Sequence, residues 1–131
     1  MAVARAQLVL TLMMSAAASL SGQQPAAPAV SDSARVAQGK RLFEGKGLCF
    51  SCHGKAGEGL LGPTTNLVDR AFAHTDGTAL ELVALIKSGV DAARSKSGQI
   101  MPPRGGSRLS DAEVVMVVAY VKELHGRRSA D

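Results

Sequence analysis

The chain has 131 residues, enough for one small domain with accessory segments and too few for several. Only 3% of them are aromatic, with no Trp, so side chains alone would make a thin core for a domain of this size. The formal charge is +4, and no basic run alternates with aromatic residues, which argues against a nucleic-acid partner.

Residues 1–22 read as a secretory signal peptide. Arg5 supplies the positive start, and Leu8-Val9-Leu10-Thr11-Leu12-Met13-Met14 a short apolar run. Ala16-Ala17-Ala18 and Ser19-Leu20-Ser21 both offer small residues at cleavage spacing. The competing reading is an uncleaved membrane anchor. The apolar run is short against the roughly 20 residues a span needs, and Thr11 and Ser15 interrupt it. Residues 23–33 contain two prolines and no periodic apolar face, and read as a flexible linker.

A domain over residues 34–126 follows. Asp32 or Ser33 can cap a first helix that runs to about Glu44. Val36, Gly39, Leu42 and Phe43 fall on one face of it. A glycine inside a helix costs about 1 kcal/mol against alanine, so Gly39 calls for a packing reason. A bare α-carbon there would let another helix cross closely. Gly45 and Gly47 end the helix.

Cys49-Phe50-Ser51-Cys52-His53 comes next and holds the only two cysteines. C-x-x-C-H reads as an attachment site for c-type haem. Thiols three positions apart share a helical turn, so both can reach one porphyrin edge, and the adjacent imidazole can bind iron. A thioredoxin-like pair needs strand–helix–strand surroundings, and no β-branched alternation precedes Cys49. A structural zinc site needs four ligands, and only His74 and His125 could join, at irregular spacing.

Gly54 to Pro63 carries four glycines and reads as a loop that can lie flat against a ligand. A carbonyl at the Pro63 corner would accept the proton on the distal nitrogen of His53 and so fix its tautomer. Leu67 and Phe72 are candidate cofactor or core contacts. His74 is a reserve candidate for the second axial position on iron.

Thr78-Ala79-Leu80-Glu81 is a capping box, S/T-x-x-E, and predicts a second helix to about Ser88 with Gly89 as its stop. Val90 to Gln99 is polar and reads as a loop. In Ile100-Met101-Pro102-Pro103 the two prolines exclude helix interior, so Met101 is presented from a stiff extended segment. With a haem site upstream, that makes Met101 the first candidate for the sixth iron ligand. Ser110-Asp111-Ala112-Glu113 is a second capping box. It predicts a third helix to about His125, closed by Gly126, with Val114, Val117, Val118, Val121 and Leu124 on its apolar face. Residues 127–131 read as a frayed tail.

From Ala34 to Gly126 the sequence resembles class I cytochromes c, small secreted monohaem electron carriers. Gly39-Lys40-Arg41-Leu42-Phe43, Cys49–Gly54, Gly62-Pro63, Met101-Pro102-Pro103 and Tyr120-Val121 carry the likeness, in the family's order. The polar stretch between Gly89 and Met101 is longer than in the most compact members. The resemblance implies an all-α cytochrome c fold of three main helices around one covalent haem c. It implies thioether bonds at Cys49 and Cys52, axial iron ligands His53 and Met101, and Pro63 orienting His53 through its carbonyl. It implies that the first and last helices cross at right angles, with Gly39 and Phe43 meeting Tyr120. The implied role is a one-electron Fe(III)/Fe(II) carrier, not an enzyme, exported to a bacterial periplasm. Its partners would be a redox donor and acceptor, either free or within a dehydrogenase or oxidase complex. It would meet a membrane only through those partners or an uncleaved leader. Lys46, Lys55, Arg94, Lys96, Arg104 and Arg108 flank the site and could steer an acidic partner.

Overall fold

The computed structural model of the protein describes residues 31–69 and 71–127. The expected signal peptide, linker residues 23–30 and tail residues 128–131 lie outside the described residues. Among the described residues, four helices carry the fold: α1 (Asp32–Glu44), α2 (Phe50–His53), α3 (Ala79–Ser88) and α4 (Asp111–Arg127). Single 3-10 turns sit at Pro63–Thr65 and Pro103–Gly106. Among the described residues there is no strand, only an isolated antiparallel bridge between Val90 and Met101. The three long helices are the three that the sequence predicts, and the fold is all-α.

The helix ends follow local chemistry. The α1 cap is Ser31, one residue before the expected Asp32 or Ser33; its hydroxyl accepts the Ala34 N–H at 3.3 Å. Asp32 then lies in the first turn, where a carboxylate complements the helix dipole. Thr78 caps α3 by accepting the Glu81 N–H, and the Gly89 N–H closes the helix on Leu85 O at 2.7 Å. At α4 the capping box is reciprocal: Glu113 N–H donates to Ser110 Oγ, and Ser110 N–H donates to the Glu113 carboxylate at 2.7 Å. The helix runs through Gly126 to Arg127 rather than stopping at His125. Gly126 is not among the residues with positive φ, so it does not form the left-handed stop.

Packing centres on α4. Val114, Val117, Val118, Val121 and Leu124 are buried, as their spacing predicts, against Phe43 of α1 and Leu82 and Ile86 of α3. Phe43 is 1% exposed, and burying such a ring stabilises the fold by about 1.5–3 kcal/mol. The ring meets Tyr120 edge-on, centroids 5.3 Å apart. Gly39 allows that approach, because a β-carbon there would lie 1.9 Å from the Met116 carbonyl oxygen. The Tyr120 hydroxyl donates to Lys55 O at 3.0 Å, tying α4 to the loop after α2. Tyr120→Phe should therefore lower stability by about 1 kcal/mol, read from urea unfolding, because Lys55 is exposed and water can replace the lost donor.

Candidate cofactor site

α2 is the local device that brings Cys49, Cys52 and His53 together. Leu48 precedes it in a left-handed conformation, φ 55°, which is costly for leucine. That turn lets the Leu48 carbonyl accept both the Ser51 N–H and the Ser51 hydroxyl, the latter at 2.6 Å. Cys49 stands at the N-terminus of the helical turn and Cys52 inside it. Both are free thiols, half-buried. Cys49 Sγ donates weakly to Gly47 O at 3.5 Å, and burial pushes its pKa up to about 11. It therefore stays a neutral thiol at ordinary pH.

His53 ends α2, and the following loop folds back over it. Gly59 N–H donates to His53 O and Leu60 N–H to Cys52 O, at 2.8 and 2.9 Å. Gly54 turns the chain at φ 77°, and a β-carbon there would meet the Glu58 carboxylate at 2.2 Å. The fold-back brings Thr65 O to 2.6 Å from His53 Nδ1. A carbonyl only accepts, so Nδ1 carries the proton and the lone pair resides on Nε2. Burial lowers the imidazole pKa, which keeps the ring neutral, the form that binds metal.

The orienting carbonyl is thus Thr65's and not Pro63's. Pro63 opens a 3-10 turn, and its own carbonyl accepts the Asn66 N–H at 3.2 Å. The turn carries the chain two residues further before a carbonyl faces the ring. Gly62-Pro63 announces the corner in the sequence, but the reach of a 3-10 turn is not in the motif.

The site opens into an apolar cavity that is continuous with solvent. Cys49, Cys52, His53 and Met101 all line it. Phe43, Leu82, Ile86, Val117 and Val121 give it an apolar wall, and Leu67 and Phe72 also border it. The polar stretch expected between Gly89 and Met101 hides one core residue. Val90 is 5% exposed and exchanges two backbone hydrogen bonds with Met101, at 2.8 and 2.9 Å. This bridge holds Met101 extended, as its prolines predict. His74, the reserve ligand, also borders the cavity, in an irregular segment. His125 Nδ1–H donates to Leu67 O at 3.2 Å, and the ring stacks on Phe72 with centroids 4.4 Å apart.

These donors fit a haem and not a bare metal ion. Two thiols, a neutral imidazole and a thioether line one apolar cavity, the donor set of a thioether-linked haem. Among the described residues no cluster of three or more His, Cys, Asp or Glu could hold an ion directly.

The basic rim is less free than the sequence suggests. Lys46 pairs with Glu113 at 2.7 Å, Arg94 with Asp91 at 3.0 Å and Arg104 with Asp111 at 2.5 Å. Among the described residues, Lys55, Lys96 and Arg108 have no carboxylate at ion-pair distance. No described helix is long and apolar enough to cross a membrane.

A family model described as cytochrome c oxidase, cbb3-type, subunit III matches residues 34–121. No curated protein and no solved structure matches the chain.

Proposed function

The chain belongs to the cytochrome c domain family described as cytochrome c oxidase, cbb3-type, subunit III, and on that premise we propose which of its residues hold the haem and how they set its role. A domain of this family is a small electron-transfer protein with covalently bound haem c. Cys49 and Cys52 would form the two thioether links, and His53 and Met101 would hold the iron. The observation that carries this assignment is the His53–Thr65 hydrogen bond, made on a cavity that both thiols and Met101 also line.

When bound, the haem supplies a one-electron Fe(III)/Fe(II) couple. His53 offers Nε2 in a fixed orientation, because Thr65 O holds the opposite nitrogen. The Met101 thioether is a soft ligand that favours reduced iron and raises the potential. With His53 and Met101 both holding the iron, no coordination site would remain for a substrate, which supports an electron carrier rather than an enzyme. Phe43, Leu82, Ile86, Val117 and Val121 would give the bound group an apolar wall on the cavity side.

Its partners are a redox donor and acceptor. The family description favours a place in or beside an oxidase complex over a freely diffusing role. Lys55, Lys96 and Arg108 are the cations best able to meet an acidic partner surface. Export to the periplasm belongs to the same reading, since covalent haem attachment in bacteria takes place there and residues 1–22 have the pattern of a leader.

The test is mass spectrometry and absorption of the exported protein. The expected mass includes one haem and no free thiol, and the dithionite-reduced spectrum should not change under carbon monoxide. A colourless protein with two alkylatable thiols would overturn the attachment. A covalent haem that binds carbon monoxide readily would overturn Met101 alone and favour a ligand-sensing role.

A further inference from the structure

Met101 sits on a segment held at two ends. On one side is the Val90 bridge, with its paired backbone hydrogen bonds. Gly89 makes that bridge possible: a β-carbon there would lie 2.3 Å from Met101 O. On the other side is Arg104, three residues on. Its backbone is left-handed, φ 55° and ψ 27°, a conformation that glycine adopts freely and arginine does not. Gly105 and Gly106 follow directly, so glycine is at hand in this very turn, yet position 104 keeps a side chain. A strained residue persists where its surroundings hold it.

The Arg104 side chain supplies that hold. One guanidinium nitrogen donates to Leu109 O at 2.8 Å. The other reaches the Asp111 carboxylate, whose second oxygen accepts Lys87 Nζ at 2.7 Å. Ser107 Oγ closes the turn on Arg104 O at 2.7 Å. Lys87 lies in the last turn of α3, and Asp111 is the first residue of α4. Three elements therefore meet at one carboxylate beside the methionine segment. An exposed ion pair by itself contributes little. Here the Arg104 side chain is 27% exposed and that of Asp111 65%, and what adds to the pair is the second bond, from the guanidinium to a backbone carbonyl.

We propose that Arg104, anchored by Asp111 and Leu109 O, is a positioning residue that keeps the Met101 thioether on the iron. This rests on Met101 being the axial ligand. The guanidinium touches neither haem nor ligand and acts through the chain between residues 101 and 104. Without it, the segment after Met101 is tied only by the local turn, and the thioether leaves the iron more often. An added ligand can then take the vacated position.

The experiment is imidazole titration of the ferric holoprotein, followed by the loss of the methionine–iron charge-transfer band, beside urea unfolding of each variant. Arg104→Gly removes the side chain and relieves the backbone. If the side chain had only a structural cost to offset, this change would be neutral. The expected result is a tenfold or greater rise in imidazole affinity, larger than any change in unfolding midpoint accounts for. Asp111→Asn should shift affinity in the same direction by a smaller factor, and it carries the test if Arg104→Gly does not accumulate as holoprotein. Lys46→Ala breaks a surface pair that involves neither Arg104 nor Asp111 and should leave the affinity unchanged. Wild-type affinity in both Arg104→Gly and Asp111→Asn would overturn the positioning role while leaving Met101 as ligand. A wild-type protein that lacks the charge-transfer band and binds imidazole as tightly as Met101→Ala would overturn both.

Discussion

Gly39→Ala is expected to destabilise the domain by at least about 3 kcal/mol, against a helix propensity that alone would stabilise it by about 1 kcal/mol. The two effects have opposite signs, so the experiment decides between them. The added β-carbon would sit 1.9 Å from the Met116 carbonyl oxygen, 2.8 Å from its carbon and 3.0 Å from Tyr120 Cβ. The first two are backbone atoms and cannot swing aside as a side-chain tip could. α1 would have to lift off α4. That separation would loosen the Phe43–Tyr120 contact and uncover Phe43, the most buried aromatic ring. A small domain has only about 5–15 kcal/mol of net stability, so the loss is a large fraction of it. Urea unfolding of the holoprotein measures the change. A midpoint equal to or above wild type would mean that the helices do not approach as closely as described.

Gly39 is also where the sequence was most informative. A glycine in a helix interior is locally unfavourable, and that conflict pointed to a close crossing. Caps were readable for the same reason: Thr78 and Ser110 act within four residues, so their partners lie inside the motif. The α1 cap lies one residue before the expected position, at Ser31, and the other misses involve longer reach or backbone sign. Pro63 marked the corner before the site, but the carbonyl on His53 belongs to Thr65, because a 3-10 turn intervenes. Val90 looked like part of a polar loop until its pairing with Met101, eleven positions away, placed it in the core. Leu48 and Arg104 have positive φ with no glycine or asparagine to announce it. Gly126 looked like a helix stop, but that role needs a left-handed backbone it does not adopt. Arg94 and Arg104 counted as free cations on the sequence, and folding gives each a carboxylate. Chemistry carried by residue type was therefore legible, and geometry set by distant partners was not.

Met101→Ala is expected to lower the midpoint potential by a substantial part of the roughly 0.8 V that axial ligation spans among haem proteins. The thioether is the only proposed contact that favours ferrous over ferric iron, and alanine offers no replacement. The fold should change little. The Val90 bridge uses the backbone of residue 101, and Pro102 and Pro103 keep the segment extended whatever side chain precedes them. A fall in potential with near-normal unfolding would thus isolate ligation from structure. His74→Ala is the matched control, since His74 also borders the cavity. It should leave the potential close to wild type. If the histidine variant lost potential and the methionine variant kept it, the sixth ligand would be His74. Its irregular segment would then, despite lacking the paired backbone bonds that fix Met101, present the ligand to iron. The bridge argues for the opposite outcome, because a ligand that stays put in both oxidation states needs a backbone that does not move between them.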